Sequence, residues 1–92
     1  MISLMLMPPR NKDQIIAQIL EICLKPGVTK THVVYQSNLN FKSVMPYLSL
    51  LIGSGLLEMV QGEFAIYKTT PKGKRALKAF SAIEKMVAER LE

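Results

Sequence analysis

Apolar residues recur at helical spacing from Asn11 to Leu24: Ile15, Ile16, Ile19, Leu20 and Cys23 share one side of a 3.6-residue repeat, and polar residues fill the other. The spacing predicts a helix over 11–24. Asn11 is placed to cap it, and Gln14, three residues on, to complete a capping box. Lys25-Pro26-Gly27 ends it with a basic residue and two breakers. A short second helix is expected over 29–37. Thr29 or Lys30 starts it, Val33, Val34 and Tyr35 supply its apolar side, and Ser37-Asn38 closes it.

A third helix is expected over 40–52, with Asn40 as its cap. Val44, Leu48 and Leu51 form its apolar stripe, flanked by Phe41, Tyr47 and Ile52. Pro46 conflicts with that reading, because proline inside a helix costs ~3 kcal/mol. Either the helix proper begins near Ser43, or it begins at Asn40 and bends. Gly53-Ser54-Gly55 ends it. Residues 56–60 and 64–69 read as two strands around Gln61-Gly62-Glu63, with Gly62 supplying the positive φ of a tight hairpin. Alternation puts Phe64, Ile66 and Lys68 on one face and Ala65 and Tyr67 on the other. Thr70 as cap and Pro71 in the first helical position open a last helix over 71–91, about 31 Å long. Leu77, Phe80, Ile83, Val87 and Leu91 make its apolar stripe.

The fold class is therefore mainly α with a small β-hairpin, in the order α-α-α-β-β-α with a long C-terminal helix. This is the order of a winged helix-turn-helix domain. Three parts are expected: an apolar N-terminal arm over 1–9, the winged helix-turn-helix domain over 10–80, and a C-terminal helix over 71–92 that joins two copies. In the arm, Ile2, Leu4, Met5, Leu6 and Met7 precede Pro8-Pro9, so it reads as an extended segment or short strand that packs on something.

Composition narrows the function. The 92 residues suit one small domain, and the 49 % hydrophobic share belongs to a folding chain. One Cys (Cys23) excludes an internal disulfide framework and a thiolate zinc cluster. One His (His32) and one Asp (Asp13) leave little for catalysis, and no glycine-rich phosphate loop occurs. The expectation is a protein that is not an enzyme and uses no metal or cofactor. Cys23 is most simply a core residue, and His32 a half-exposed helix residue. The apolar start is too short to span a bilayer, which takes ~20 apolar residues, and it lacks the leading positive charge of a signal peptide. A cytoplasmic location without membrane contact follows.

Twelve Lys and Arg against seven Asp and Glu give a net charge of +5. The distribution matters more. No acidic residue lies between Ile22 and Leu57, where Lys25, Lys30 and Lys42 fall, nor between Phe64 and Ile83, where Lys68, Lys72, Lys74, Arg75 and Lys78 fall. A helix-turn-helix puts its second helix in the major groove. That helix buries Val44, Leu48 and Leu51 and leaves Asn40, Lys42, Ser43, Pro46 and Ser49 for bases. Asn can read adenine, Lys can reach guanine or phosphate, and Ser is permissive. Lys30, Lys68, Lys72 and Lys74 are the expected phosphate partners. Glu58 and Glu63 flank the hairpin tip and repel phosphate. Ile83, Val87 and Leu91 run beyond what the small domain covers, which implies a partner helix, most simply that of a second copy. A protein-interaction module on the same scaffold is the alternative. No small-molecule ligand is evident.

Three segments carry a family resemblance: Thr29 to Phe41, with its Lys-Thr-x-Val-x-Tyr-x-Ser-Asn-Leu run from Lys30; Tyr47 to Leu57; and Tyr67 to Gly73. Together they resemble the small archaeal winged-helix DNA-binding proteins, predicted transcriptional regulators. Chromatin-associated proteins and proteins of crenarchaeal viruses are among the relatives. The resemblance covers residues 11 to about 80. It implies a homodimer built through the C-terminal helix and binding duplex DNA. The chain departs from the family pattern at Pro46, where relatives carry an ordinary helix former. Its last helix is also shorter than the coiled coil of the chromatin-associated relatives.

Overall fold

The computed structural model describes residues 11–91, with side chains through Ala88; the arm over 1–9 and the side chain of Leu91 lie outside the described residues. The elements in chain order are α1 (Lys12–Ile22), β1 (Val28–Thr29), α2 (Lys30–Ser37), α3 (Phe41–Gly53), β2 (Leu57–Val60), β3 (Ile66–Thr69) and α4 (Pro71–Leu91).

Each helix starts where a side chain satisfies a backbone N–H that helical geometry leaves open. Asn11 and Gln14 form a reciprocal capping box at α1, with bonds of 2.8 and 2.9 Å. Thr29 Oγ1 accepts from His32 N–H at 3.3 Å, which settles Thr29 as the cap of α2. Asn40 Oδ1 accepts from Ser43 N–H at 2.7 Å to start α3, and Thr70 Oγ1 accepts from Gly73 N–H at 3.0 Å in the first turn of α4. Between α2 and α3 the chain reverses through Asn38, whose φ of 61° is left-handed, a conformation Asn tolerates better than most residues.

Of the two readings of α3, the one starting at Asn40 holds. Helix begins at Phe41 and continues through Pro46, past the first turn. Pro46 has no N–H for the carbonyl of Lys42. Both residues are exposed, so water reaches that carbonyl and the loss is smaller than in a core. The helix closes in a Schellman arrangement: Gly55 N–H donates to Ile52 O at 3.0 Å and Leu56 N–H to Leu51 O at 2.9 Å. Gly55 takes φ +79°, which a residue with a Cβ rarely adopts.

The expected two-stranded hairpin is corrected to a three-stranded antiparallel sheet in the order β1-β3-β2. Val28 and Thr29 pair with Tyr67 and Ile66. Two residues between a breaker and a helix cap are too few to show alternation, so the sequence concealed this strand. The reversal between β2 and β3 is also longer than expected. Residues 61–65 form it, and Gly62 is not among the described glycines with positive φ, which are Gly27 and Gly55. Phe64 therefore sits in the exposed loop and on no strand face. Along β3, Tyr67 and Thr69 turn inward while Lys68 faces out.

The core joins Ile19, Leu20 and Cys23 of α1 to Val33, Val44, Leu48 and Leu51 of α2 and α3 and to Val28, Leu57 and Tyr67 of the sheet. Cys23 is a buried free thiol within it. Thr69 ties sheet to helix twice. Its hydroxyl donates to Leu20 O at 2.6 Å, and its N–H donates to Cys23 O at 3.0 Å. Those carbonyls sit at the C-terminal end of α1, where intrahelical donors run out. No helix among the described residues is long and apolar enough to cross a membrane.

Candidate nucleic-acid interface

The apolar stripe Val44-Leu48-Leu51 fixes which side of α3 faces out. At about 100° per residue, the opposite side carries Lys42, Pro46, Ser49 and Gly53 in one row, with Ser43 and Leu50 beside it. All six are exposed. Lys42, Ser43 and Ser49 thus lie on the open face where the sequence placed them. Asn40 sits at the tip of the same helix, but its side-chain oxygen is engaged in the cap. The amide nitrogen is the part of Asn40 that the cap leaves to other partners.

Lys30 joins this group. It opens α2, and its ammonium lies 5.3 Å from the centroid of the Phe41 ring, the first residue of α3. A cation over an aromatic face is held by the ring quadrupole. The Lys30 side chain thus reaches across α2 to the first residue of α3, next along the chain to Asn40 and Lys42. Helix N-termini carry open N–H groups and partial positive charge, a setting that suits phosphate.

The other expected phosphate partners stand elsewhere. Lys72 donates to Ser54 O at 2.9 Å, at the C-terminal end of α3, about 18 Å of helix away from Phe41. Lys74 lies about 200° around α4 from Lys72, so the two occupy different faces; Lys78 is its neighbour one turn on. Lys68 is exposed on β3 directly opposite Glu58 of β2, which partly offsets its charge. The expected site thus resolves into the open face of α3 with Lys30 beside its first residue, and separate cations on the sheet and α4.

Sequence reading missed the apolar part of this surface. Phe41 and Leu50 are 53 % and 49 % exposed, and Tyr35 on α2 is 80 % exposed. Sequence spacing puts Tyr35 on the apolar side of α2 and Phe41 beside the apolar stripe of α3. Helical angles alone place Leu50 about 130° from the centre of the Val44-Leu48-Leu51 stripe, on the outer half of α3, and that signal was available. Apolar side chains on a groove-reading helix can contact thymine methyls.

On α4, Ile83 and Val87 are 59 % and 53 % exposed and continue the stripe that Leu77 and Phe80 begin against the domain. Met86 is exposed beside them. Cys23, buried against α1 and the sheet, has its thiol pushed up to about 11 because burial disfavours the thiolate. His32 is exposed on α2. No group of three or more His, Cys, Asp or Glu that could hold a metal occurs among the described residues.

Residues 9–88 match the profile of a family described as winged helix-turn-helix. An uncharacterised protein of Methanocaldococcus jannaschii is 27 % identical over 78 residues, which span 85 % of this chain but 36 % of that protein. The chain thus covers about a third of the length of this curated relative. Among solved structures, Sso10a-2, a DNA-binding protein from Sulfolobus solfataricus, superposes with a TM-score of 0.72 at 27 % identity, over 88 % of each chain. The transcriptional regulator BldR from the same organism superposes with a TM-score of 0.71 at 18 % identity, over 84 % of this chain and 59 % of that one.

Proposed function

Because the chain belongs to the winged helix-turn-helix family, we propose that it binds double-stranded DNA, acts as a transcriptional regulator in the cytoplasm, and performs no catalysis. The observation that carries this reading is the open face of α3, where Lys42, Ser43 and Ser49 are exposed and the Lys30 ammonium lies over Phe41, on a stretch without acidic residues. Lys42, Ser43 and Ser49 face base edges from the open side of α3, and Asn40 contributes its amide nitrogen. Lys30 contacts phosphate beside them. Lys68, Lys72 and Lys74 extend the electrostatic contact to flanking phosphates. The DNA-binding description of Sso10a-2, similar over 88 % of both chains, supports the same reading. The regulatory part is supported by BldR, a transcriptional regulator with this fold.

The working form is a homodimer joined through Ile83, Val87 and Leu91 of α4. Two exposed β-branched side chains four residues apart, beyond the domain's own packing, are costly to leave in water, and a second copy of the seam covers them.

The test is a titration against a labelled random duplex, followed by anisotropy at several salt concentrations. Contact through phosphates makes log K fall linearly with log salt, with a slope near −0.9 per neutralised phosphate. A slope worth ~4 or more phosphates supports two engaged copies. Absence of binding at low salt overturns the reading. One observation favours a protein-interaction module instead: Tyr35 of α2 and Phe41 and Leu50 of α3 are exposed apolar side chains. Tight, salt-insensitive association with a protein through these side chains, with no duplex binding, would establish it.

A further inference from the structure

We propose that Pro46 and Leu50 of α3 form an apolar ridge that packs on the 5-methyl groups of thymines in the major groove, so that the chain prefers duplexes carrying thymine under α3. This rests on the reading of the chain as a duplex-binding protein and deepens it, by naming the base and the atom that are recognised.

The ridge follows from helical geometry. Pro46 and Leu50 are four residues apart within α3, so they are neighbours on one side of the helix, about 40° and 80° around from Lys42. The buried stripe Val44-Leu48-Leu51 lies on the other side. Pro46 is exposed, and Leu50 is 49 % exposed. Neither side chain carries a donor or an acceptor, so neither can read a base edge by hydrogen bonding. Each offers only carbon. Thymine answers carbon, because its 5-methyl group is the apolar point in the major-groove pattern. About 6 Å of rise separates the two residues, against ~3.4 Å per base step, so the ridge covers methyls on neighbouring steps.

The proline itself fits this role. Inside a helix it gives up a hydrogen bond, and here it does so on the open face instead of in the core. It fixes a rigid apolar ring there, which loses no side-chain entropy when a methyl packs on it.

Charge and area favour a duplex over a protein as the occupant. No acidic residue lies between Ile22 and Leu57, and exposed Lys42 shares the open row with the ridge. That setting suits a polyanion. Two side chains also fall far short of the ~800 Å² per partner of a standard protein interface. Phe41 and Ile52 are exposed as well, but they lie about 180° and 160° around α3 from Leu50 and do not extend the ridge.

Duplexes that differ only in the 5-methyl group test this, by anisotropy with the full chain at low salt. The probes are a labelled duplex of alternating adenine and thymine, and the same duplex with deoxyuridine in place of every thymidine. Burial of one methyl strengthens binding about fourfold, so wild-type protein should favour the thymine duplex by at least that factor. Leu50→Ala should bring the ratio close to one, and Leu50→Met, which stays apolar, should keep it. Circular dichroism checks that both variants retain the fold. Exchanging cytosine for 5-methylcytosine in a G·C duplex puts a methyl at the corresponding place in the groove and should strengthen wild-type binding too; unchanged affinity there counts against the ridge. Equal affinity for the thymine and uracil duplexes overturns the proposal and leaves duplex binding standing. A thymine preference that Leu50→Ala leaves intact overturns it as well, because the methyls are then read elsewhere. Failure to bind any of these duplexes is a separate result, which removes the DNA reading and the ridge with it.

Discussion

The hydroxyl of Thr70 donates to the carbonyl oxygen of Gly55 at 2.6 Å. Thr70 Oγ1 in turn accepts from Gly73 N–H at 3.0 Å, so one side chain caps α4 and holds the end of α3. The neighbouring backbone reinforces the joint, with Thr70 N–H donating to Leu56 O at 3.1 Å. Thr70→Val keeps the shape and removes both hydroxyl bonds. We expect it to lower unfolding free energy by about 1–2 kcal/mol, the usual size of a lost cap with an added hydrogen bond. Thr70→Ser should retain most of that stability. Equal losses for Val and Ser in urea unfolding would contradict the role of the hydroxyl.

Gly73→Ala tests the closeness of the same joint. A Cβ there would press on the Leu56 carbonyl oxygen and lie 2.7 Å from Thr69 Cγ2. Alanine in a helix normally gains ~1 kcal/mol over glycine. Overpacking against backbone costs about 1–3 kcal/mol and should prevail here. A fall in the unfolding midpoint is expected; a rise would show that the hairpin yields easily.

Cys23 should be chemically silent in the folded protein. Its thiol is pushed up from an ordinary 9.0 to about 11 by burial, so the reactive thiolate is roughly a hundredfold scarcer near pH 8. Labelling by a disulfide reagent should track unfolding. The folded state holds this proton more tightly than the unfolded state. Stability is therefore expected to fall as pH rises from 9 towards 11, relative to Cys23→Ala. Labelling of folded protein at the rate of a free thiol would refute the burial.

Lys42→Ala separates base contact from phosphate contact. If Lys42 reads a base, affinity for a selected site falls about tenfold more than affinity for random duplex. If it binds phosphate, both fall alike and the salt slope loses about 0.9. The position of Lys42 in the same outward row as Ser49 favours the first outcome.

Ile83→Asp with Val87→Asp should yield a monomer in sedimentation equilibrium, because both side chains are exposed and neither supports the domain's own core. The folded domain should persist. An unchanged mass would exclude this seam as the joint between copies.

Helices were legible in this sequence because their ends are written in side chains. Asn11, Thr29, Asn40 and Thr70 each cap a helix through an oxygen that local spacing reveals. The strand at Val28 was not legible, since its only evidence is a pairing with Tyr67 far along the chain. Lys42, Ser43 and Ser49 could be placed by periodicity alone. The commitment of Lys72 to Ser54 could not, because it joins elements eighteen residues apart. Periodicity ranks positions around a helix but is blind to what another segment brings against them.

Thr69 also sets the order of events as the chain is made. Its bond to Leu20 spans 49 positions, and β1 gains its partner strand only from residues 66 and 67. A nascent chain presents all of α1, α2 and α3 before either tie is possible. Until then the last carbonyls of α1 face water and Val28 has no strand beside it. Closing such long loops is what slows folding, more than forming the helices themselves. The helix-turn-helix is thus synthesised before the strand that completes the sheet, and the joining of that sheet to α1 waits on a threonine just ahead of α4.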